Sequence, residues 1–219
     1  MSKEIESKRK LYLALAINIL IVIMEIIGVF LSIRRHGLKA FQFYTEISNY
    51  FSLIVSLFFI IYCMLALRNN APLPQWVILL RFISSTCLTI TFLVVIFVLI
   101  PMMPDTLIEM LFEDSNLYQH TLCPILSVIS LIFFENNTTL TKKFVLYALL
   151  PTMVYGVTFL ILNICKVIIG PYPFFYVYEI PWYASIIFLS IILLGSILVA
   201  FALYRIYNRG KKRKITIEI

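Results

Sequence analysis

The chain has 219 residues, 62% of them hydrophobic and 13% charged, and a net charge of +7. Apolar runs this long argue against a soluble bundle, whose helices would carry a polar face, and against a β-barrel, whose strands alternate over about ten residues. Four cysteines with no CxxC pair indicate neither zinc binding nor a disulfide framework, and no metal or cofactor is expected.

Six stretches predict membrane-spanning helices and an all-α polytopic membrane protein: residues 11–31, 47–67, 77–100, 117–134, 144–165 and 183–204. Each is about 20 residues long, enough to cross a hydrocarbon layer of roughly 30 Å. The fourth is the weakest, being short and interrupted by Pro124. Residues 11–207 therefore form one six-helix membrane domain between a short polar tail at 1–10 and a basic tail at 208–219.

Charge orients it. With both termini cytoplasmic, the inner side carries the basic residues of the two tails together with Arg68, Arg81, Lys142 and Lys143. The outer side carries only Arg34, Arg35, Lys39 and Lys166, as the bias of basic residues towards cytoplasmic loops requires. In a prokaryote the host bilayer is the plasma membrane. The net positive charge thus reads as topology, with RGKKRK at 209–214 able to attract anionic lipids; nucleic acid is not an expected partner. Asn136 and Asn137 each begin an N-x-Thr sequon, but this topology places them inside.

Between the third and fourth spans, Pro101 and Pro104 are expected to end a helix. DTLIEMLFED at 105–114 then reads either as a short interfacial helix with one apolar side or as a mobile outer loop. Between the fifth and sixth, GPYPFFYVYEIPWY at 170–183 supplies prolines that break helices and rings suited to the headgroup region. It forms an interfacial belt or the rim of a lipid-facing cavity.

Polar residues within the spans are costly and therefore informative. Thr45, Ser48, Asn49, Ser52 and Ser56 share one face of the second helix, which should turn towards protein or water. Glu25, about 9 Å inside the outer end of the first helix, must be paired, protonated or hydrated, because an isolated charge costs about 2.5–3.5 kcal/mol in hydrocarbon. Glu46 fits the headgroup level, Arg81 the inner end of the third helix as a snorkelling residue, and Asn163 the outer end of the fifth. His120 opens the fourth span four residues before Pro124, whose missing N–H should free the His120 carbonyl and kink the helix.

Thr45 and His120 suit a nucleophile and general base at the same depth: a threonine hydroxyl needs a base to take its proton, and histidine has the appropriate pKa. Asn49, Ser48, Glu25 and Asn163 are supporting candidates, Asn49 as a donor to a developing oxyanion. Ordinary helix–helix hydrogen bonds account for the same residues structurally. His36 in RRHG reads as a surface residue.

FYTEISN at 43–49, HTLCP at 120–124 and PYPFFYV at 171–177 together resemble the six-span androgen-induced protein family and its bacterial Pr6Pr relatives, in the same order along nearly the whole chain. The resemblance implies a threonine hydrolase acting on fatty acid esters of hydroxy fatty acids, with Thr45 as nucleophile and His120 as base. The chain departs from the bacterial pattern after the histidine, where an acidic-tryptophan pair is common, and at Phe175 and Tyr176. An intramembrane lipid-ester hydrolase is thus the first expectation, with membrane lipids or acyl esters as partners. The alternative is a lipid-binding or lipid-transport protein without chemistry, and a membrane scaffold is the third reading.

Overall fold

The computed structural model describes residues 2–135 and 138–209, with side chains from Ile5 onward. Asn136, Asn137 and the basic tail beyond Arg209 lie outside the described residues, and with them the sequon and anionic-lipid expectations. Six helices are long and apolar enough to cross a membrane, and no strand occurs among the described residues.

We label the helices α1 (Ser2–His36), α2 (Tyr44–Asn69), α3 (Gln75–Met102), a short α4 (Leu107–Phe112), α5 (Asp114–Phe134), α6 (Lys143–Ile164) and α7 (Trp182–Tyr207). The spans are longer than the apolar runs because polar first and last turns stay helical beyond the greasy stretch. Residues 2–10, expected as a tail, continue α1. The connection between the first two spans is helix to His36 and then a 3-10 turn from Gly37 to Gln42. Gly37 makes the junction at φ +59°, a conformation that a Cβ disfavours.

The first turns of α1 and the last turn of α7 lie at the same end of the bundle. Asn208 near the end of α7 exchanges hydrogen bonds with the backbone of Leu140, which precedes α6. Ser7 and Lys8 of α1 line a recess with Asn70 and Thr138 at that same end.

Helix α3 is the hub, packing against α2, α5, α6 and α7, while α1 packs on α2 and α5. Its hub position follows from small hydroxyl residues that allow close approach. Ser84, Ser85 and Thr86 are fully buried, and Ser85 Oγ lies 2.7 Å from Ser127 Oγ of α5.

Arg81, expected to snorkel, is instead fully buried. Its Nε and Nη2 reach the Glu135 carboxylate at 2.9–3.2 Å, and its Nη1 donates to Ser56 Oγ. Asn18 Nδ2 and Ser130 Oγ donate to the same carboxylate. A partner of opposite sign immediately after α5 removes the need to reach the interface, because the buried pair is neutral as a unit and its remaining polar atoms are hydrogen-bonded.

Pro101 does not end α3. A wide π turn at Val95–Leu99 precedes it, and the helix runs on to Met102. A second π turn, Leu117–Leu122, precedes Pro124 in α5. A proline ring clashes with the carbonyl of the preceding turn and offers it no donor, so a turn opened by one residue accommodates it. The weak fourth span is therefore real, in a partly π-helical form.

The 101–116 segment contains a short helix, α4. Leu107, Ile108 and Phe112 are exposed, Met110 and Leu111 are half-buried, and Glu109 forms an ion pair with Arg35 at the end of α1.

Candidate functional site

Thr45 stands at the wall of an apolar cavity. The first turn of α2 carries Tyr44 and Thr45 into a space shared with Ile90, Thr91 and Val94 of α3, the middle of α6 from Thr152 to Leu160, the 172–175 segment, and Leu189 to Leu193 of α7. Its volume is about 180 Å³, below the roughly 300–1,000 Å³ of sites for drug-sized ligands, so it fits a length of acyl chain and not a whole lipid. Two lining residues of α6, Met153 and Val157, are exposed, so the cavity reaches the apolar outer surface of the bundle.

Aromatic packing builds the end wall. Tyr172, Phe174 and Phe175 are buried, with the Tyr172 and Phe174 rings stacked at 5.1 Å and Phe175 against Tyr155 and Phe159 of α6. Gly170 permits this fold-back: a Cβ there would lie 2.2 Å from the Phe175 Cβ. The Thr45 N–H donates to the Tyr172 hydroxyl at 3.4 Å, and the Thr45 hydroxyl is also beside it. Burial pushes the Tyr172 phenol up to about 12, so it is a neutral O–H at physiological pH. Tyr172, Phe174 and Phe175 of the 170–183 segment thus wall the cavity. Tyr172 itself was not singled out from sequence; its signal was a tyrosine held between Pro171 and Pro173.

His120 is buried at 8% exposure and is not among the residues lining this cavity. Its Nδ1 lies 2.7 Å from the Met110 carbonyl of α4. A carbonyl only accepts, so the contact requires Nδ1–H and leaves Nε2 as the basic nitrogen of the neutral ring. The next residue repeats the link: Thr121 Oγ1 donates to the Leu111 carbonyl at 2.7 Å.

The remaining candidates divide among other environments. Ser48 Oγ bonds to the Thr45 carbonyl and meets Thr91 Oγ1 at 2.8 Å, a brace between α2 and α3. Asn163 lines a separate recess with Lys166, Tyr176 and Glu179. Asn49 Nδ2 donates to the Thr45 carbonyl at 2.6 Å and to the Gln119 carbonyl at 3.2 Å. Both its N–H groups are therefore committed to backbone, leaving none for an oxyanion.

The Gln119 contact follows from the helix register. In the π turn the Cys123 N–H bonds to the Tyr118 carbonyl, five residues back, so the same register at Pro124 would leave the Gln119 carbonyl without a donor. Asn49 supplies one. The carbonyl freed by Pro124 is that of Gln119, one residue earlier than α-helical counting places it.

Glu25 is fully buried between α1, α2 and α5, with the Ser52 hydroxyl and the Cys123 thiol as its near polar neighbours. Neither carboxyl oxygen has a hydrogen-bond partner of proper geometry. Glu46, expected at the headgroup level, is also buried, at 4% exposure, and accepts from Gln119 Nε2 at 2.7 Å. Gln119, absent from the sequence-based candidates, is thus central to the polar half of the bundle. His36 is half-buried against the Phe43 ring. No group of three or more His, Cys, Asp or Glu residues arranged to hold a metal occurs among the described residues. No family model, curated protein or solved structure matches the chain.

Proposed function

We propose that the chain is an intramembrane lipid-ester hydrolase of the androgen-induced protein type, with its termini in the cytoplasm and, in a prokaryotic host, in the plasma membrane. The observation that carries this reading is Thr45 at the wall of a lipid-facing apolar cavity, beside the Tyr172 hydroxyl. An acyl chain enters past Met153 and Val157 and brings its ester carbonyl to Thr45. The Thr45 hydroxyl adds to the carbonyl carbon and its proton passes through water to His120 Nε2. The oxyanion accepts a hydrogen bond from the Tyr172 O–H, in place of the committed Asn49 amide. Collapse expels the alcohol, which takes the proton from His120, and leaves an acyl-threonine. Water activated by the same ring then releases the fatty acid. Fatty acid esters of hydroxy fatty acids are the substrates that the family resemblance suggests.

The absence of His120 from the cavity lining favours a second reading, in which the same cavity binds or carries a lipid chain without cleaving it. One assay separates the two. The purified chain in lipid nanodiscs is given a panel of acyl esters, and free fatty acid is measured for the natural sequence, Thr45→Ala and His120→Ala. Hydrolysis predicts release that both substitutions lower by about 100-fold or more, as removal of a nucleophile or general base does. Saturable lipid binding with no release, unchanged in Thr45→Ala, sinks the hydrolase and leaves the carrier.

A further inference from the structure

Helix α6 ends in a Schellman motif. The Val167 N–H bonds to the Leu162 carbonyl and the Lys166 N–H to the Asn163 carbonyl, both at 2.9 Å, with Lys166 in the left-handed position at φ +57°. Glycine is the usual occupant of that position and asparagine the next. The other non-glycine residues with positive φ among the described residues are Asn70 and Asp114, whose short polar side chains tolerate it. A lysine gains nothing there from its backbone, which points to a use for its side chain.

That side chain has a defined place. The Tyr178 hydroxyl donates to the Ile164 carbonyl at 2.6 Å, which fixes its ring, and the Lys166 ammonium sits 4.7 Å from the ring centroid. Both residues line a recess of about 440 Å³ together with Asn163, Tyr176 and Glu179, a volume within the roughly 300–1,000 Å³ of small-ligand sites. Asn163 is buried at 5% exposure, and its side-chain amide, which makes no hydrogen bond to the described residues, opens into this recess. Lys166 and Glu179 are exposed and border the same space. They do not pair with each other, and neither forms an ion pair among the described residues.

Depth and charge identify the occupant. The recess begins where the apolar span Lys143–Ile164 stops, at the level of lipid headgroups, and its lining residues Val167 and Ile169 are exposed apolar side chains. A simple anion would match Lys166 and be repelled by Glu179, and a simple cation the reverse. A ligand that carries both charges suits both residues. Phosphate oxygens accept from the Lys166 ammonium and the Asn163 amide N–H, while a primary ammonium donates to the Glu179 carboxylate and the Tyr176 hydroxyl. A quaternary ammonium has no N–H to give and favours an open aromatic face, and Lys166 already occupies that of Tyr178.

We propose that this recess binds the phosphoethanolamine headgroup of a membrane phospholipid, with the phosphate at Lys166 and Asn163 and the ammonium at Glu179 and Tyr176. The site is separate from the acyl cavity: Phe175 lines the cavity and Tyr176 the recess. It therefore stands whether or not the chain hydrolyses esters.

In the test, the full chain in detergent micelles is offered equal amounts of phosphatidylethanolamine, phosphatidylcholine and phosphatidylglycerol. All are ether-linked, so that no ester can be cleaved, and native mass spectrometry reads which lipid stays bound. A single ethanolamine lipid should be retained, with an affinity about tenfold above either of the others, as one charge-assisted contact confers. Lys166→Gly should lower that affinity by about tenfold while leaving the lipid-free unfolding midpoint unchanged or higher, since glycine suits the left-handed position. Glu179→Gln should lower it by about as much and turn the preference towards the anionic phosphatidylglycerol. Equal retention of the three headgroups by the natural sequence overturns the proposal, as does a preference for phosphatidylcholine or phosphatidylglycerol. So does ethanolamine-lipid retention that is unchanged in well-folded Lys166→Gly and Glu179→Gln, which would put the lipid elsewhere on the bundle.

Discussion

Asn49 ties the backbone of α2 to that of α5: its side-chain amide donates to the Gln119 carbonyl at 3.2 Å while holding the Thr45 carbonyl at 2.6 Å. One side chain thus fixes the relative position of the residue at the cavity wall and the turn that presents His120. Replacing Asn49 by Leu leaves the Gln119 carbonyl buried and unmatched. A loss of about 1–2 kcal/mol is expected, the upper range for polar contacts between membrane helices. Asn49→Asp, which turns an acceptor towards two carbonyls, should cost more. Unfolding in mixed micelles with increasing denaturing detergent measures both.

The Arg81–Glu135 pair predicts a distinctive double-mutant pattern. Glu135→Leu alone strands a buried guanidinium and Arg81→Met alone strands a buried carboxylate, so each should destabilise by roughly 3–5 kcal/mol. Combining them should recover most of that loss, because no charge remains to be desolvated. A double variant as unstable as the sum of the two singles would show that the pair acts independently of its charges.

Gly156 offers a way to fill the cavity without disturbing the fold. A Cβ at this position meets nothing within 4 Å, yet the residue lines the cavity opposite Thr45's helix. Gly156→Leu should keep stability within about 1 kcal/mol, aided by the better helix former. It should weaken acyl-chain binding about tenfold or more. Titration with a fluorescent fatty acyl probe reads the affinity, and an unchanged value would place the lipid elsewhere.

Gly170 is the contrasting case. The Phe175 Cβ leaves no space for a methyl group, and the obstacle is the base of a packed side chain. Gly170→Ala should push the 171–175 wall outwards at a cost of roughly 1–3 kcal/mol, typical of overpacking. Acyl binding should fall with it, as measured by the same probe.

The short helix α4 is fastened through three successive residues, by the Arg35–Glu109 ion pair and by the bonds from His120 and Thr121 to the Met110 and Leu111 carbonyls. Arg35→Gln combined with Thr121→Val should leave the transmembrane core intact and speed amide hydrogen exchange in residues 105–113 about tenfold. Exchange no faster than in the natural sequence would mean that the apolar contacts of Met110 and Leu111 alone hold α4 down.

Length and hydropathy were sufficient to find all six spans, because a backbone in hydrocarbon must bond to itself and sustained apolar runs admit few other structures. The polar face of α2 was equally legible, since five small polar residues at helical spacing cannot all face lipid. Partner identity was not. Arg81 finds Glu135 across 54 positions, and nothing local in either segment announces the other. Thr45 and His120 were grouped by depth alone, and depth does not specify rotation about the helix axis. The cavity recruits Tyr172 from a connecting segment, while Gln119 was not singled out beside a more conspicuous histidine. Pro124 correctly marked a disturbed turn; the π register then moved the freed carbonyl by one position.

Helix α5 carries within Leu117–Leu122 about one residue more than an unbroken α-helix would use to cover the same rise. A single-residue deletion there would straighten the helix and turn everything on one side of it by about 100° relative to the other. Deletion of Leu122 separates chain length from chemistry: it removes a side chain with no assigned role, yet it must uncouple either Gln119 from Asn49 or Ser127 from Ser85. The histidine's address is therefore written partly in the number of residues that precede it.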